Sequence, residues 1–340
     1  MGGMDRLVKS VVSRGVAIAF AMMVVTALTG SDADAASCAL SIPTCGCTID
    51  SPGSYTLTGV SPMNSTGTCV DITASRVTLT SSSILIKGPG SATATFGVHI
   101  EPTARKVLVE GIEAEDFGNG IRVDGPNASL LGNITALNGK GTVVNGANAY
   151  LIEVESELDG TGFQINPTAT GFAGVIVVAV EATGAGIVLN KVSGAFIDTA
   201  EAEDNGTFGI WLRSASNNEI DGFLAEDNGV AGVYLGCNAA GPNGTACPPG
   251  VPSSNGNSLI GSVYGSKDSL VNNTANPLNQ LYGVAVGLGN VQNHFLTITG
   301  SGNTVDDALD ENPNCGGNRW FADSFTTSSP PKNTSFFCLN

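Results

Sequence analysis

Carboxylates return at one phase of this sequence: Glu115 and Asp116, Glu157, Glu181, Glu203 and Asp204, then Glu226 and Asp227. Each group precedes a run of Gly and aliphatic residues by roughly six or seven positions, the spacing of a structural repeat. Stacked on neighbouring β-strands about 4.8 Å apart, such carboxylates repel one another. A divalent cation between them relieves the repulsion, and Ca²⁺ takes carboxylate and carbonyl oxygens. Glu181, Glu203, Asp204, Glu226 and Asp227 are therefore the candidate metal ligands, and Ca²⁺ the cofactor they would take. The plainer reading is a hydrated row of turns, because Ala202-Glu203-Asp204-Asn205-Gly206 and Ala225-Glu226-Asp227-Asn228-Gly229 nearly repeat and Asp-Asn-Gly is turn chemistry. A second constellation joins Trp211, Tyr234 and Arg213. Two aromatic faces beside a guanidinium suit a sugar ring, so these three are the candidate substrate-binding residues.

The elements that would position these groups are short strands. Runs of Gly, an aliphatic or aromatic residue, any residue and another aliphatic recur as Gly97-Val98-His99-Ile100, Gly120-Ile121-Arg122-Val123, Gly162-Phe163-Gln164-Ile165, Gly186-Ile187-Val188-Leu189, Gly209-Ile210-Trp211-Leu212, Gly232-Val233-Tyr234-Leu235 and Gly283-Val284-Ala285-Val286. Val98 to Ile121, Ile187 to Ile210 and Ile210 to Val233 are each 23 residues apart. Two further short runs follow each copy, for instance Gly194-Ala195-Phe196-Ile197 and Phe223-Leu224-Ala225. Three short strands per turn of about 22 residues define a β-solenoid, in which alternation sends one side chain of each pair inward. The outward residues of the main run are then His99, Arg122, Gln164, Val188, Trp211, Tyr234 and Ala285. Asn and Gly are expected at the corners, in left-handed conformations that β-branched residues resist. Leucine-rich repeats share the period, but their fixed Leu positions and Asn ladders are not visible in the sequence.

Composition narrows the class further. Of 340 residues, 30 are Asp or Glu and 14 are Lys or Arg, a formal charge of −16, so binding to a phosphate backbone is disfavoured. The 45 glycines follow no three-residue period, which excludes collagen, and 42% hydrophobic residues are enough for a core. Residues 1–35 read as an export signal: basic Arg6, Lys9 and Arg14, an apolar run from Val16 to Leu28, and Ala33-Asp34-Ala35 for cleavage. The mature protein is expected to be secreted, extracellular or periplasmic, without a transmembrane anchor.

All eight cysteines follow that segment, so disulfides are expected. Cys237 is expected to pair with Cys247, and Cys315 with Cys338; Cys38, Cys45, Cys47 and Cys69 allow three connectivities. Residues 36–70 would form a Cys-rich N-terminal cap and first coil, 71–310 the solenoid and 311–340 a C-terminal cap in which Trp320, Phe321 and Phe325 cover the last coil. The Pro-rich segment 236–257 reads as a loop insertion.

The pattern resembles the right-handed parallel β-helix, the pectate-lyase-like superfold, over roughly residues 45–310; right-handed crossovers are also the rule between parallel strands. The opening Cys45-Gly46-Cys47-Thr48-Ile49-Asp50-Ser51-Pro52-Gly53-Ser54-Tyr55-Thr56-Leu57 resembles the first segment of secreted bacterial β-helix repeat proteins. Asn314-Cys315-Gly316-Gly317-Asn318-Arg319-Trp320 resembles their closing segment. Enzyme motifs of the superfold are missing: neither Gly-His-Gly and Arg-Ile-Lys of polygalacturonases nor Asp-Pro-His-Glu of alginate epimerases occurs. Arg122 and Arg213 lie four coils apart, His99 and His294 farther, and Asp306-Asp307 reads as a turn. The expectation is an exported all-β rod that presents an elongated surface to polysaccharide or another cell-envelope component without catalysis. The alternatives are a polysaccharide lyase or glycoside hydrolase, and a Ca²⁺-stabilised adhesive rod.

Overall fold

The structure, a computed structural model, describes residues 36–81, 83–265 and 280–329. The export segment 1–35 and Cys338, hence the Cys315–Cys338 pairing, lie outside the described residues. Within them the chain is a parallel β-solenoid. Thirteen parallel strands stack into one sheet, from Ala36–Ser37 through Phe96–Ile100, Asn119–Val123 and Phe208–Arg213 to Ser328–Ser329. We call this the first face. A second sheet of 17 strands supplies the other walls of the coil. In the early coils it is two separate strands per turn, such as Leu108–Glu110 and Glu113–Glu115. Later these fuse into eight-residue strands such as Tyr150–Glu157, Ala173–Val180, Phe196–Glu203 and Glu219–Glu226. Each fused strand is bent by a single left-handed residue: Glu153, Ile176, Thr199 and Gly222. The halves before and after that bend are the second and third faces. No helix among the described residues is long and apolar enough to cross a membrane.

Alternation builds the core. On the first face Ile49, Ile72, Ile100, Val123, Val144, Ile165, Leu189, Leu212, Leu235 and Val286 pair in unbroken register and are all buried. Each such side chain contributes about 1.5–3 kcal/mol of burial. Asp310 ends this column beyond Val286. Trp320 extends another interior stack, its ring 3.9 Å from Phe295 and edge-on to Phe325. Phe321, expected to join that cover, is 66% exposed, because alternation in Arg319–Phe321 turns it outward.

Two expectations about the corners are corrected. Asn127 and Asn148 do hold left-handed corners, but so do Asp116, Leu137, Leu158, Glu181, Asp204 and Asp227, and the β-branched Ile176 and Thr199. Regular hydrogen bonding between coils outweighs the cost of about 1–2 kcal/mol per residue. The Asn residues that follow several of these corners point inward instead and form the ladder that sequence inspection did not find. Asn205 Nδ2 donates to Ala179 O (3.2 Å) and Asn228 Oδ1 (2.9 Å), while Asn205 Oδ1 accepts from Ala182 N (3.1 Å). A second ladder runs Asn218, Asn257, Asn293, Asn318. Asp159 takes the equivalent place in one coil of the first ladder, accepting from Asn138 N (2.6 Å), Ser156 Oγ (2.6 Å) and Thr135 Oγ1 (2.9 Å).

The glycine before each main strand is set by close approach rather than by an unusual φ. A Cβ on Gly209 would lie 2.6 Å from Gly232 O and 2.7 Å from Asn228 Nδ2. Disulfides Cys38–Cys47 and Cys45–Cys69 close the N-terminal end and resolve its connectivity, and Cys237–Cys247 joins the loop as expected. Bridges of this kind fit an oxidising, extracytoplasmic compartment.

Candidate functional site

The outward side chains of the first face fall into adjacent columns. One reads Asp71, His99, Arg122, Val143, Gln164, Val188, Trp211, Tyr234, Ala285 and Leu309. The next lies two residues farther along each coil and holds Glu101, Asp124, Asn145, Asn166, Asn190 and Arg213. At the early end these columns meet around His99. Its Nδ1 is 3.1 Å from Asp71 Oδ1 and 3.3 Å from Glu101 Oε1, and its Nε2 is 2.9 Å from Asp124 Oδ2. Arg122 Nε donates to the same Asp124 oxygen at 2.8 Å, and the Asn145 amide donates to the other. Phe96 backs the group, its ring centroid 4.6 Å from that of His99 and 5.6 Å from the Arg122 guanidinium carbon.

Burial pushes the His99 imidazole down, but the Asp124, Asp71 and Glu101 carboxylates outweigh it and hold the ring at about 9. Burial pushes Asp124 up, and its bonds from His99, Arg122 and Asn145 overcome that and hold it well below the usual carboxylate range. At neutral pH the cluster thus sets an imidazolium and the Arg122 guanidinium against an ionised Asp124. From Asp124 a line of amides continues: Asn166 Nδ2 donates to Asn145 Oδ1 (2.8 Å), and Asn190 Nδ2 (3.0 Å) and Gln164 Nε2 (2.8 Å) donate to Asn166 Oδ1.

The candidate sugar platform is brought together and covered. Trp211 and Tyr234 are neighbours, with ring centroids 6.5 Å apart and planes 25° apart, and the Arg213 guanidinium carbon lies 5.1 Å from the Trp211 ring centroid. Yet Trp211 is 8% and Tyr234 2% exposed. They belong to an apolar cluster outside the coil, with Val188, Phe208 and Ala285. The loop closes over it: Trp211 Nε1 donates to Gly236 O (2.7 Å), and Gly241 packs against Val230 and Phe208. Burial pushes the Tyr234 hydroxyl up to about 12. Arg213 is the member left exposed.

The acidic residues occupy the end of the third face and the corner beyond it. Glu203 and Glu226 pair directly in the ladder, while Glu181, Asp204 and Asp227 hold the left-handed corner position of successive coils. Burial and repulsion from Asp227 and Glu181 push Asp204 up to about 6; burial and Glu226 do the same to Asp227. A row two residues earlier carries more acid. Outward pairs Glu113/Glu115, Glu155/Glu157 and Glu201/Glu203 alternate coil by coil with Ile134/Ala136 and Val178/Val180. Burial, then neighbouring carboxylates, raises Glu113, Glu155 and Glu203. In the pairs Glu155/Glu157 and Glu201/Glu203 the two carboxyls come within hydrogen-bonding reach of each other, closer than the separation of about 5 Å or more that flanks a glycosidic bond.

The His99 cluster escaped the sequence reading. His99 and Glu101 stand 23 residues before Arg122 and Asp124, one repeat apart, and that signal was present. Asp71, 28 residues before His99, breaks the period, and only the strand register places it.

No family of related sequences matches the chain, and no curated protein does. Solved structures match its fold. The Dettilon tailspike protein aligns with a TM-score of 0.56 at 12% identity, over 83% of this chain and 60% of that one. The enzymatically active domain of bacteriophage CBA120 tailspike protein 2 gives 0.51 at 14%, over 84% and 46%. Pectate lyase Pel9A gives 0.47 at 13%, over 85% and 71%. At these identities the likeness is one of fold, and this chain spans only part of the length of either tailspike chain.

Proposed function

We propose that the first face is a binding track for an extended glycan of the cell envelope or its surroundings, used without turnover. The observation that carries this is the hydrogen-bonded line Asp124, Asn145, Asn166, Asn190, one polar side chain per coil, continued by the exposed Arg213. Its repeat of about 4.8 Å is close to the length one pyranose ring adds to an extended chain, and amides offer both donors and acceptors to sugar hydroxyls. The strands hold these groups rigidly, so ordering them on binding costs little. The solenoid shared with tailspike proteins is a scaffold on which such a long ligand can lie.

Two properties favour binding over catalysis. A general base works best with a pKa near the operating pH, whereas the carboxylates hold His99 at about 9. Asp124, kept ionised by three donors, is no acid. The test is calorimetric titration of neutral and acidic extracellular polysaccharides. A neutral polymer binding with weak salt dependence, lost in Asn166→Leu, supports the track. Binding undiminished by Asn166→Leu, or the release of reducing ends or unsaturated uronate, refutes it.

A second reading concerns the third face. Burial, and after it repulsion between carboxylates, raises Asp204 and Asp227, and Ca²⁺ held by Glu181, Glu203, Asp204, Glu226 and Asp227 would relieve the repulsive part. A melting temperature unmoved by millimolar Ca²⁺ removes this reading.

A further inference from the structure

We propose that Asp71, His99 and Glu101 form a binding site for a transition-metal dication of the Zn²⁺ type, at the early end of the first face. The three donor atoms lie within 4.8 Å of one another. The two edges that include His99 Nδ1 measure 3.1 and 3.3 Å. Ligands about 2.0–2.2 Å from a tetrahedral ion stand roughly 3.3–3.6 Å apart, so these edges are already near the required length. One strand register fixes Asp71 opposite His99, and Glu101 follows His99 by two residues on the same side of the sheet. All three therefore project from rigid, adjacent coils.

The donor set selects the ion. One imidazole nitrogen with two carboxylate oxygens suits Zn²⁺ and its neighbours in the first transition row, whereas Ca²⁺ takes oxygens alone. A second observation points the same way. His99 Nε2 faces Asp124 at 2.9 Å, and Asp124 is itself fixed by Arg122 and Asn145. Metal-bound histidines almost always give their far N–H to an outer acceptor, and a carboxylate is one of the usual ones; it sets the tautomer that presents the other nitrogen's lone pair. Here that nitrogen is Nδ1, which faces Asp71 and Glu101. Asp71 Oδ1, moreover, is sealed from solvent and faces His99 Nδ1 at 3.1 Å, so water does not compete for the oxygen that an ion would meet. A bound ion would take the place of the Nδ1 proton. Its fourth position would be left open to water or a ligand hydroxyl.

This site stands apart from the glycan reading, because metal uptake is measured without any polysaccharide. The probe is Zn²⁺ titrated into the chelator-stripped, disulfide-intact protein, with Co²⁺ as spectroscopic reporter. The expected result is one ion per chain, bound more tightly than Ca²⁺, with the visible absorption of a low-coordinate Co²⁺ centre. His99→Gln and Asp71→Asn should each abolish that phase. Asp124→Asn should keep the stoichiometry and weaken binding about 10–100-fold, while His294→Gln should change nothing. Circular dichroism separates a lost site from a lost fold, and Glu101→Gln, at the edge of the cluster, gives a milder variant. Absence of a stoichiometric phase in the wild type, its survival in His99→Gln, or tighter binding of Ca²⁺ than of Zn²⁺ would each overturn the assignment.

Discussion

Replacing Asp159 by Asn should stabilise the protein above neutrality and leave it nearly unchanged in acid. Asp159 is fully buried and stands in a ladder whose other coils use Asn138, Asn205 and Asn228. Burial raises its carboxyl from 3.8 to about 6, against the lowering effect of hydrogen bonds from Ser156, Asn138 and Thr135. A folded-state pKa above the unfolded one means the native protein binds more protons between those values, so its stability falls as pH rises from about 4 to about 6, then stays flat. Two pH units correspond to about 3 kcal/mol. The asparagine keeps the shape and carries no charge, and the hydroxyls of Ser156 and Thr135 can rotate to accept from its amide. The gain expected at pH 8 is therefore about 1–3 kcal/mol, shrinking towards zero near pH 4. Denaturant unfolding of both proteins at half-unit pH steps reads this directly. The wild type should lose stability across that window, and the variant should lose less. A variant less stable than wild type at pH 8 would refute the reasoning, because it would show that the ionised carboxylate is worth more as an acceptor than its burial costs.

The packing of the coils makes a further test. Gly209→Ala places a methyl against Gly232 O and Asn228 Nδ2 at 2.6 and 2.7 Å, and overpacking of that kind should cost about 1–3 kcal/mol in chemical unfolding. Gly194→Ala meets open space and bears only the strain of its φ of 73°, so it should cost about 1 kcal/mol; equal losses would contradict the close-approach argument. On the third face, Glu201→Gln combined with Glu203→Gln should raise stability at pH 8, because burial and then repulsion raise Glu203 from 4.5 to about 8, so the wild type loses stability progressively as pH climbs through that window. The gain should shrink at acid pH and in high salt, and a salt-independent gain would point to packing instead. Opening the loop with Cys237→Ser and Cys247→Ser in a Trp320→Phe background should increase acrylamide quenching of Trp211, which the loop now covers; unchanged quenching would mean that the cover holds without its bridge.

The period and the alternation were legible because a solenoid repeats one local decision many times. Gly209-Ile210-Trp211-Leu212 and Gly232-Val233-Tyr234-Leu235 declare the same strand twice, and stacking turns a weak local preference into a column. The first-face outward residues were therefore assigned correctly from Gly and aliphatic positions alone. What the chain does at right angles to that pattern was not legible. An inward Asn and a corner Asn look alike in sequence; only the carbonyl they meet on the next coil tells Asn205 from Asn148. Likewise the apolar cluster of Phe208, Trp211 and Tyr234 reads as an open platform until the loop 236–257 is folded back over it. His99 was visible as an outward residue, but its partner Asp71 comes from a coil of different length, and a fixed period cannot find it.

The distribution of charge bears on what each face can meet. A net charge of −16 suggests a surface that repels anions everywhere, but screening confines a charge's influence to about 8–10 Å at ordinary ionic strength. Around His99, three carboxylates face an imidazolium and a guanidinium, so that region carries about one negative charge, and the amides beyond it carry none. On the third face the pairs Glu113/Glu115, Glu155/Glu157 and Glu201/Glu203 have few cations to offset them; Lys87, 2.9 Å from Asp116 and 3.5 Å from Glu115, sits at the early end. The same alternation of side chains thus builds one nearly neutral, hydrogen-bonding face and one that concentrates unrelieved negative charge. A neutral glycan has reason to choose the first and none to choose the third. Salt should therefore separate the two faces experimentally: ligand binding on the first face should scarcely respond to it, while stability, which includes the repulsion on the third, should rise.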